Sequence, residues 1–216
     1  MYQFRTLFIM ALATLNFYTS TVSASKFESD LLDIQHNWAK ANYELKGDAP
    51  KQAFNSLLKK SESLKTSNPS KAEALIWNGI VNSTYAGVKG GIGALKYAKI
   101  AKKQFEEAIK IDPNALSGSA YTSLGTLYYK VPGFPVGFGN KKKAERNLLK
   151  ALEINPTGID ANYFYGDYLN SRKRYSEALP YLERALNAKA RPNRALADKG
   201  RKEEINTALS LARSKS

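Results

Sequence analysis

The chain has 216 residues, no cysteine, one histidine, and 33 Lys and Arg against 19 Asp and Glu, a net charge of +14. Without cysteine there are no disulfides, thiol nucleophiles, zinc–thiolate sites or cysteine-borne lipid anchors. One histidine cannot build a His-based metal cage, and the excess positive charge points to an anionic surface or an acidic partner, or else to solvated helix faces.

Arg5, the apolar run Leu7 to Leu15 and the small-residue site Val22-Ser23-Ala24 read as a secretory signal peptide over residues 1–24, with a mature chain from Ser25. The run is too short to span a bilayer, which takes about 20 residues. An exported, disulfide-free chain without a lipid anchor is expected to be a soluble bacterial periplasmic protein. Nine helices follow. The first, from about Phe27 to Lys46, carries Leu31, Ile34, Trp38 and Leu45 on one stripe. Asp48 caps the second, Pro50 sits in its first turn, and Ala53, Phe54, Leu57 and Leu58 face inward. Asn68-Pro69-Ser70 ends this pair. The third helix carries Leu75, Ile76, Trp77 and Ile80 and ends in the glycine run Gly87 to Gly93, and the fourth reaches Ile111. Breaks follow at Asp112-Pro113-Asn114, Asn155-Pro156 and Ala190-Arg191-Pro192. The last helix, about Asp198 to Arg213, has Ile205, Ala208, Leu209 and Ala212 on one face, as a terminal cap would.

A repeated spacing runs through these helices. Ala101, Phe105, Ala108 and Pro113 are 4, 3 and 5 apart; Ala144, Leu148, Ala151 and Pro156 repeat this, and Ala178, Leu182 and Ala185 repeat it again. Leu124-Gly125 with Tyr128 precedes the second set, and Tyr165-Gly166 with Leu169 precedes the third. A small, a large and a small residue at helical spacing let two helices approach closely while the large side chain fills the gap. In these residues the chain resembles the tetratricopeptide repeat family, whose unit of about 34 residues places Leu-Gly and Tyr in helix A, then Ala, Phe, Ala and Pro in helix B.

The resemblance implies an all-α fold, a right-handed superhelical stack of antiparallel helix pairs (an α-solenoid) with a C-terminal capping helix. It divides the mature domain, 25–216, into a divergent N-terminal pair (25–69), a degenerate repeat matching only in its second helix (70–113), a repeat with a Pro/Gly/Phe insertion (117–156), a regular repeat (159–190) and the cap (197–214). In the family, helix A lines a concave groove. Carried over by position, this gives Thr122, Thr126 and Tyr129 in one unit and Tyr163, Asp167 and Asn170 in the next. Family members that clamp a C-terminal carboxylate use Lys and Asn there; this chain has Thr122 and Thr126.

Two enlarged turns, Gly87 to Gly93 and Val131 to Asn140, emerge at equivalent places in stacked units and are expected to be neighbours. Phe134 and Phe138 in the second either fold back as a plug or form part of a binding surface. In the run Tyr163, Phe164, Tyr165 and Tyr168, the last three are expected in the core. His36 lies far in sequence from both insertions and reads as a surface or groove-edge residue. Glu106-Glu107 and Glu203-Glu204 are consecutive on helices and so point apart. No catalytic set, metal site or cofactor motif emerges. The sequence thus reads as a non-enzymatic scaffold that binds an envelope protein or peptide through its groove and inserted-loop edge. The alternatives are capture of a small solute, like the helical-repeat component of certain periplasmic transporters, and peripheral binding to an anionic membrane. Export and the absence of a recognition motif argue against nucleic acid.

Overall fold

A computed structural model describes residues 26–91 and 93–216; the expected signal peptide lies outside them. The described helices are α1 (26–43), α2 (Ala49–Ser67), α3 (Ala72–Lys89), α4 (Ala94–Ile111), α5 (Ala115–Lys130), α6 (Lys141–Ile154), α7 (Ile159–Ser171), α8 (Tyr175–Leu186) and α9 (Ala195–Lys215). Three of the helix pairs are drawn together at one point each. A Cβ added at Gly79 would lie 2.5 Å from the Phe105 ring, at Gly125 2.7 Å from Leu148, and at Gly166 2.6 Å from Leu182. No side chain tolerates such distances, so glycine is what lets α3 meet α4, α5 meet α6, and α7 meet α8. The large partners are fully buried, as are the alanines a turn to either side of them. Sequence spacing alone left the 70–113 unit matched only in its second helix. Gly79 supplies the missing match, hidden because Asn78 stands where the family has leucine.

The pairs stack into an all-α solenoid with α1, α3, α5, α7 and α9 as the inner layer. Trp38 packs edge-on against Trp77 with ring centroids 5.9 Å apart, and its indole N–H donates to Thr84 Oγ1 at 3.0 Å, which ties α1 to α3. At the other end Ile205, Ala208, Leu209 and Ala212 of α9 join the cluster around Ala178, Leu182 and Ala185, as a cap should. The first half of α9 does something else. Ala197 is buried with Phe27, Leu31, Trp38 and Trp77, in the core of the N-terminal pair. The Tyr43 ring lies against Gly200, where a Cβ would collide with it. The His36 ring Nε2 meets the Asn193 carbonyl at 2.7 Å. The inner helices therefore form a closed ring, because α9 touches both α7 and α1.

Local geometry departs from expectation at four places. Helix α3 runs through Gly87 to Lys89, so the first insertion shrinks to 90–93, where Gly90 and Gly91 stop the helix at φ 60° and 63°. Asp48 makes no side-chain capping bond to α2. Helix α9 begins at Ala195, three residues early. At the head of α5, Leu116, Ser117 and Gly118 form a left-handed turn (φ 47°, 56° and 75°), which for the two non-glycine residues stores about 1–2 kcal/mol each. The turn aims the chain so that Leu116 and Ser117 border the space inside the ring.

Replacing Gly125 with alanine is expected to cost about 1–3 kcal/mol by overpacking against Leu148. Leu148→Ala alone is expected to cost about 2–5 kcal/mol. In urea unfolding the double variant should lose clearly less than the sum, because the truncated side chain vacates the space the new methyl needs; strict additivity would show that the two residues do not share this contact.

Candidate functional site

The ring surrounds a half-open chamber of about 1180 Å³ lined by all five inner helices. The 3.6-residue period dictates its lining. Helix α5 turns Ser119, Thr122, Ser123 and Thr126 inward, α7 turns Asp160, Tyr163, Phe164 and Asp167, and α3 turns Trp77, Ile80 and Thr84. Helix α1 adds Trp38, Asn42 and Tyr43, and the 189–204 segment adds Arg191, Arg194, Arg201 and Glu204. One wall is thus aromatic and aliphatic, one carries hydroxyls, and the third is charged.

The charged wall is built around Asp160 at the start of α7. Arg201 donates its Nε–H to Asp160 Oδ1 at 2.8 Å, and Arg191 donates to Oδ2. Arg191 also reaches Asp198 through its backbone N–H at 2.8 Å and its Nε–H at 2.7 Å, while Arg201 pairs with Glu204. The Arg201 guanidinium lies over the rings of Tyr163 (4.6 Å) and Phe164 (4.5 Å). Burial opposes ionisation of the Asp160 carboxyl, but the Arg201 and Arg191 guanidiniums override it and hold the pKa down to about 2. Burial pushes the Tyr43 phenol up to about 12, Arg201 opposing and Glu204 assisting. It also raises Tyr163, with Asp167 assisting, and raises Glu204 against the pull of Arg201. A carboxylate this acidic is a poor general base, and the phenols beside it are poor acids. The arrangement holds charge in place and is suited to binding.

The sequence-derived residues fall in two sets. Thr122, Thr126, Tyr163 and Asp167 line the chamber. Thr126 spends its hydroxyl on the Thr122 carbonyl at 2.8 Å. Asp167 accepts from Tyr129 at 2.6 Å and pairs with Lys130 at 2.7 Å, so Tyr129 lies behind the wall as its support. Asn170 faces away from the chamber and donates to the Ala208 carbonyl at 3.0 Å, anchoring α9. Phe138 folds onto Tyr128, edge-on at 6.0 Å, as a plug. Phe134 points outward and is 94% exposed. Gly91 of the first insertion and Val136 of the second both border the chamber. Tyr165 and Tyr168 are core as expected, whereas Phe164 faces the chamber. The carbonyl of Asn193 can only accept, so His36 Nε2 carries the proton and the ring acts as a strut. Of the basic clusters, Arg201 is inside the chamber and Arg174 is paired with Glu145 and Glu177, which removes two cations from any membrane-facing set. No described helix is long and apolar enough to cross a membrane.

Sequence reasoning missed Trp38, Trp77, Asp160, Arg191, Arg194, Arg201 and Glu204 as site residues. One signal for them exists. Arg194, Ala197, Arg201, Glu204, Ile205, Ala208, Leu209 and Ala212 make a single helical stripe that changes from charged to apolar at residue 205. Such a switch marks where α9 stops facing the chamber and starts facing the stack.

No family model matches the chain and no curated protein does. Among solved structures, the thermophilic TPR protein TTC0263 of Thermus thermophilus is 20% identical over 76% of this chain and 84% of its own, with a TM-score of 0.52. A crystal structure of MamA is matched at 20% identity over 78% of this chain and 91% of its own, but with a TM-score of 0.45.

Asp160→Asn should destabilise the protein by about 3 kcal/mol at neutral pH, since two guanidiniums lose their shared carboxylate. The depressed pKa means this stability is present above about pH 4 and lost as pH falls through about 2. Urea unfolding from pH 7 to pH 2 should therefore show the wild-type advantage shrinking only below pH 4; an advantage constant to pH 2 would contradict the ion-pair origin.

By its likeness to TTC0263 and its repeated glycine packing, the chain has the tetratricopeptide-repeat fold.

Proposed function

We propose that this chain is an exported, non-catalytic binding protein that holds a solute in the chamber formed by its inner helices. The seating of Gly200 against Tyr43 carries this reading. In an open repeat stack a partner peptide can run the length of the groove, but here α9 lies across that path and joins α1. The half-open volume of about 1180 Å³ lies just above the range of small-molecule sites, about 300–1,000 Å³. Walls that are apolar on one side and fixed by ion pairs on the other orient an amphipathic occupant at little ordering cost. Export is supported by the leader-like residues 1–24 and the absence of cysteine.

A second reading, docking to an envelope protein, is favoured by one observation. Phe134 and Val136 are 94% and 68% exposed in a Pro- and Gly-rich loop, of which Val136 borders the chamber. The two readings are compatible, since a loop at the mouth of a solute site is where a receiving protein would dock.

Native mass spectrometry of the mature protein, recovered from its own envelope, should show a non-protein mass that leaves on denaturation. The mature N-terminus should be Ser25. Gly200→Leu should abolish that mass and speed hydrogen exchange in α1, while the amides of α5 to α8 keep their protection. A protein that carries no small molecule, and whose Phe134→Ser/Val136→Ser variant loses a defined envelope partner, would replace the first reading with the second.

A further inference from the structure

The cations of the chamber are not equally satisfied. Lys130 has Asp167 at 2.7 Å, Arg191 has Asp160 and Asp198, and Arg201 has Asp160 and Glu204. Lys189 and Arg194 make no ion pair among the described residues; Lys189 is exposed to solvent, whereas Arg194 is half-buried. Its Nε–H is shut off from solvent and meets no acceptor. Its guanidinium lies 5.0 Å above the Trp77 ring and borders the chamber. The guanidinium of Arg194 is thus a chamber-lining cation without a carboxylate of its own, and it is the rest of its fork, not the covered Nε–H, that an occupant could reach. Burial, together with the like charge of Arg191, disfavours the Arg194 cation, which increases what an incoming anion would gain there.

Resting on the chamber reading, we propose that the chamber recognises a carboxylate attached to an apolar body, with Arg194 as the anion site and the Trp77–Trp38 wall as the body site. A planar guanidinium presents two parallel N–H donors to a carboxylate, which a point charge does not. The body of the occupant is apolar, because the chamber is also bordered by Ile80, Leu127 and Phe164 and by the edges of the otherwise buried Trp77 and Trp38. These donors differ from the groove positions Thr122 and Thr126, so the site is a property of the strap after the last repeat.

Both tryptophans of the chain line the chamber, so their fluorescence reports occupancy. The probes are matched acid and amide pairs: 3-phenylpropionate and dodecanoate with their carboxamides, and acetyl-Ala-Ala-Phe with a free or amidated C-terminus. At least one acid should bind ten- to a hundredfold more tightly than its amide, the scale of a hydrogen-bonded charge. Arg194→Gln should erase that difference while leaving the amide's affinity unchanged, and Arg194→Lys should keep part of it. The small acids and the peptide acid separate a free solute from a chain terminus as the source of the carboxylate. No acid binding at millimolar concentration, acids binding no better than amides, or a preference that survives Arg194→Gln would each overturn the proposal. The acid–amide comparison on the wild type stands even if Arg194→Gln misfolds. Gly200→Leu, which unseats α9 from the Tyr43 ring, tells the two levels apart. If it abolishes binding of every probe while the Arg194 effect is absent, only the anion site falls; if the probes bind it as tightly as the wild type, the chamber reading itself falls.

Discussion

The three repeated helix pairs of this molecule are each drawn together where a Cβ is missing. Gly79, Gly125 and Gly166 each receive a large side chain from the partner helix, and the alanines flanking Phe105, Leu148 and Leu182 let that side chain sink between the helices. Each such contact sets the distance and tilt within one pair. The stack then inherits its curvature, since small identical rotations add from pair to pair. A wider spacing at any one pair would alter every position beyond it. The ring and the chamber are downstream of three hydrogen atoms standing where methyl groups would be.

Closure uses the same device once more. Gly200 admits the Tyr43 ring as Gly166 admits Leu182, but the two helices belong to opposite ends of the chain. A solenoid normally ends in a helix whose outer face is polar, and the second half of α9 behaves so. Its first half continues the same stripe with Arg194, Arg201 and Glu204 in place of leucine and alanine. One helix therefore serves as cap and as wall, and the change of side-chain chemistry at residue 205 is the boundary between the two jobs.

Sequence made the stack legible and left the ring illegible. The spacing of Ala101, Phe105 and Ala108 is local, and so is the stripe of Ile205, Ala208, Leu209 and Ala212; periodicity reads both directly. Thr122, Tyr163 and Asp167 followed from the family frame, since an inner face is inner whatever it binds. Contact between Tyr43 and Gly200 follows instead from the summed curvature of the stack, which no window of residues contains. Arg201 was misread for a related reason. In sequence it lies between Lys199 and Lys202 and looks like part of a solvated patch, but on the helix those lysines point outward while it points at Asp160. Asn170, placed in the groove by the same frame, turned to hold α9 because the cap needed an anchor for a backbone carbonyl.

The ion cluster and the seam differ in kind, and that difference governs how the chamber can work. Buried ion pairs contribute little net stability against their desolvation, yet breaking one is costly. Their effect is to fix geometry, and Asp160 fixes two guanidiniums from both ends of the 191–201 segment onto α7. The α1–α9 seam has no such clamp. It rests on Ala197, the Tyr43 ring against Gly200, the His36 bond to Asn193, and a long Tyr43–Glu204 contact of 3.5 Å. Local opening follows the weakest set of contacts. By that rule the seam is the part of the ring expected to open first, while the charged wall keeps its shape.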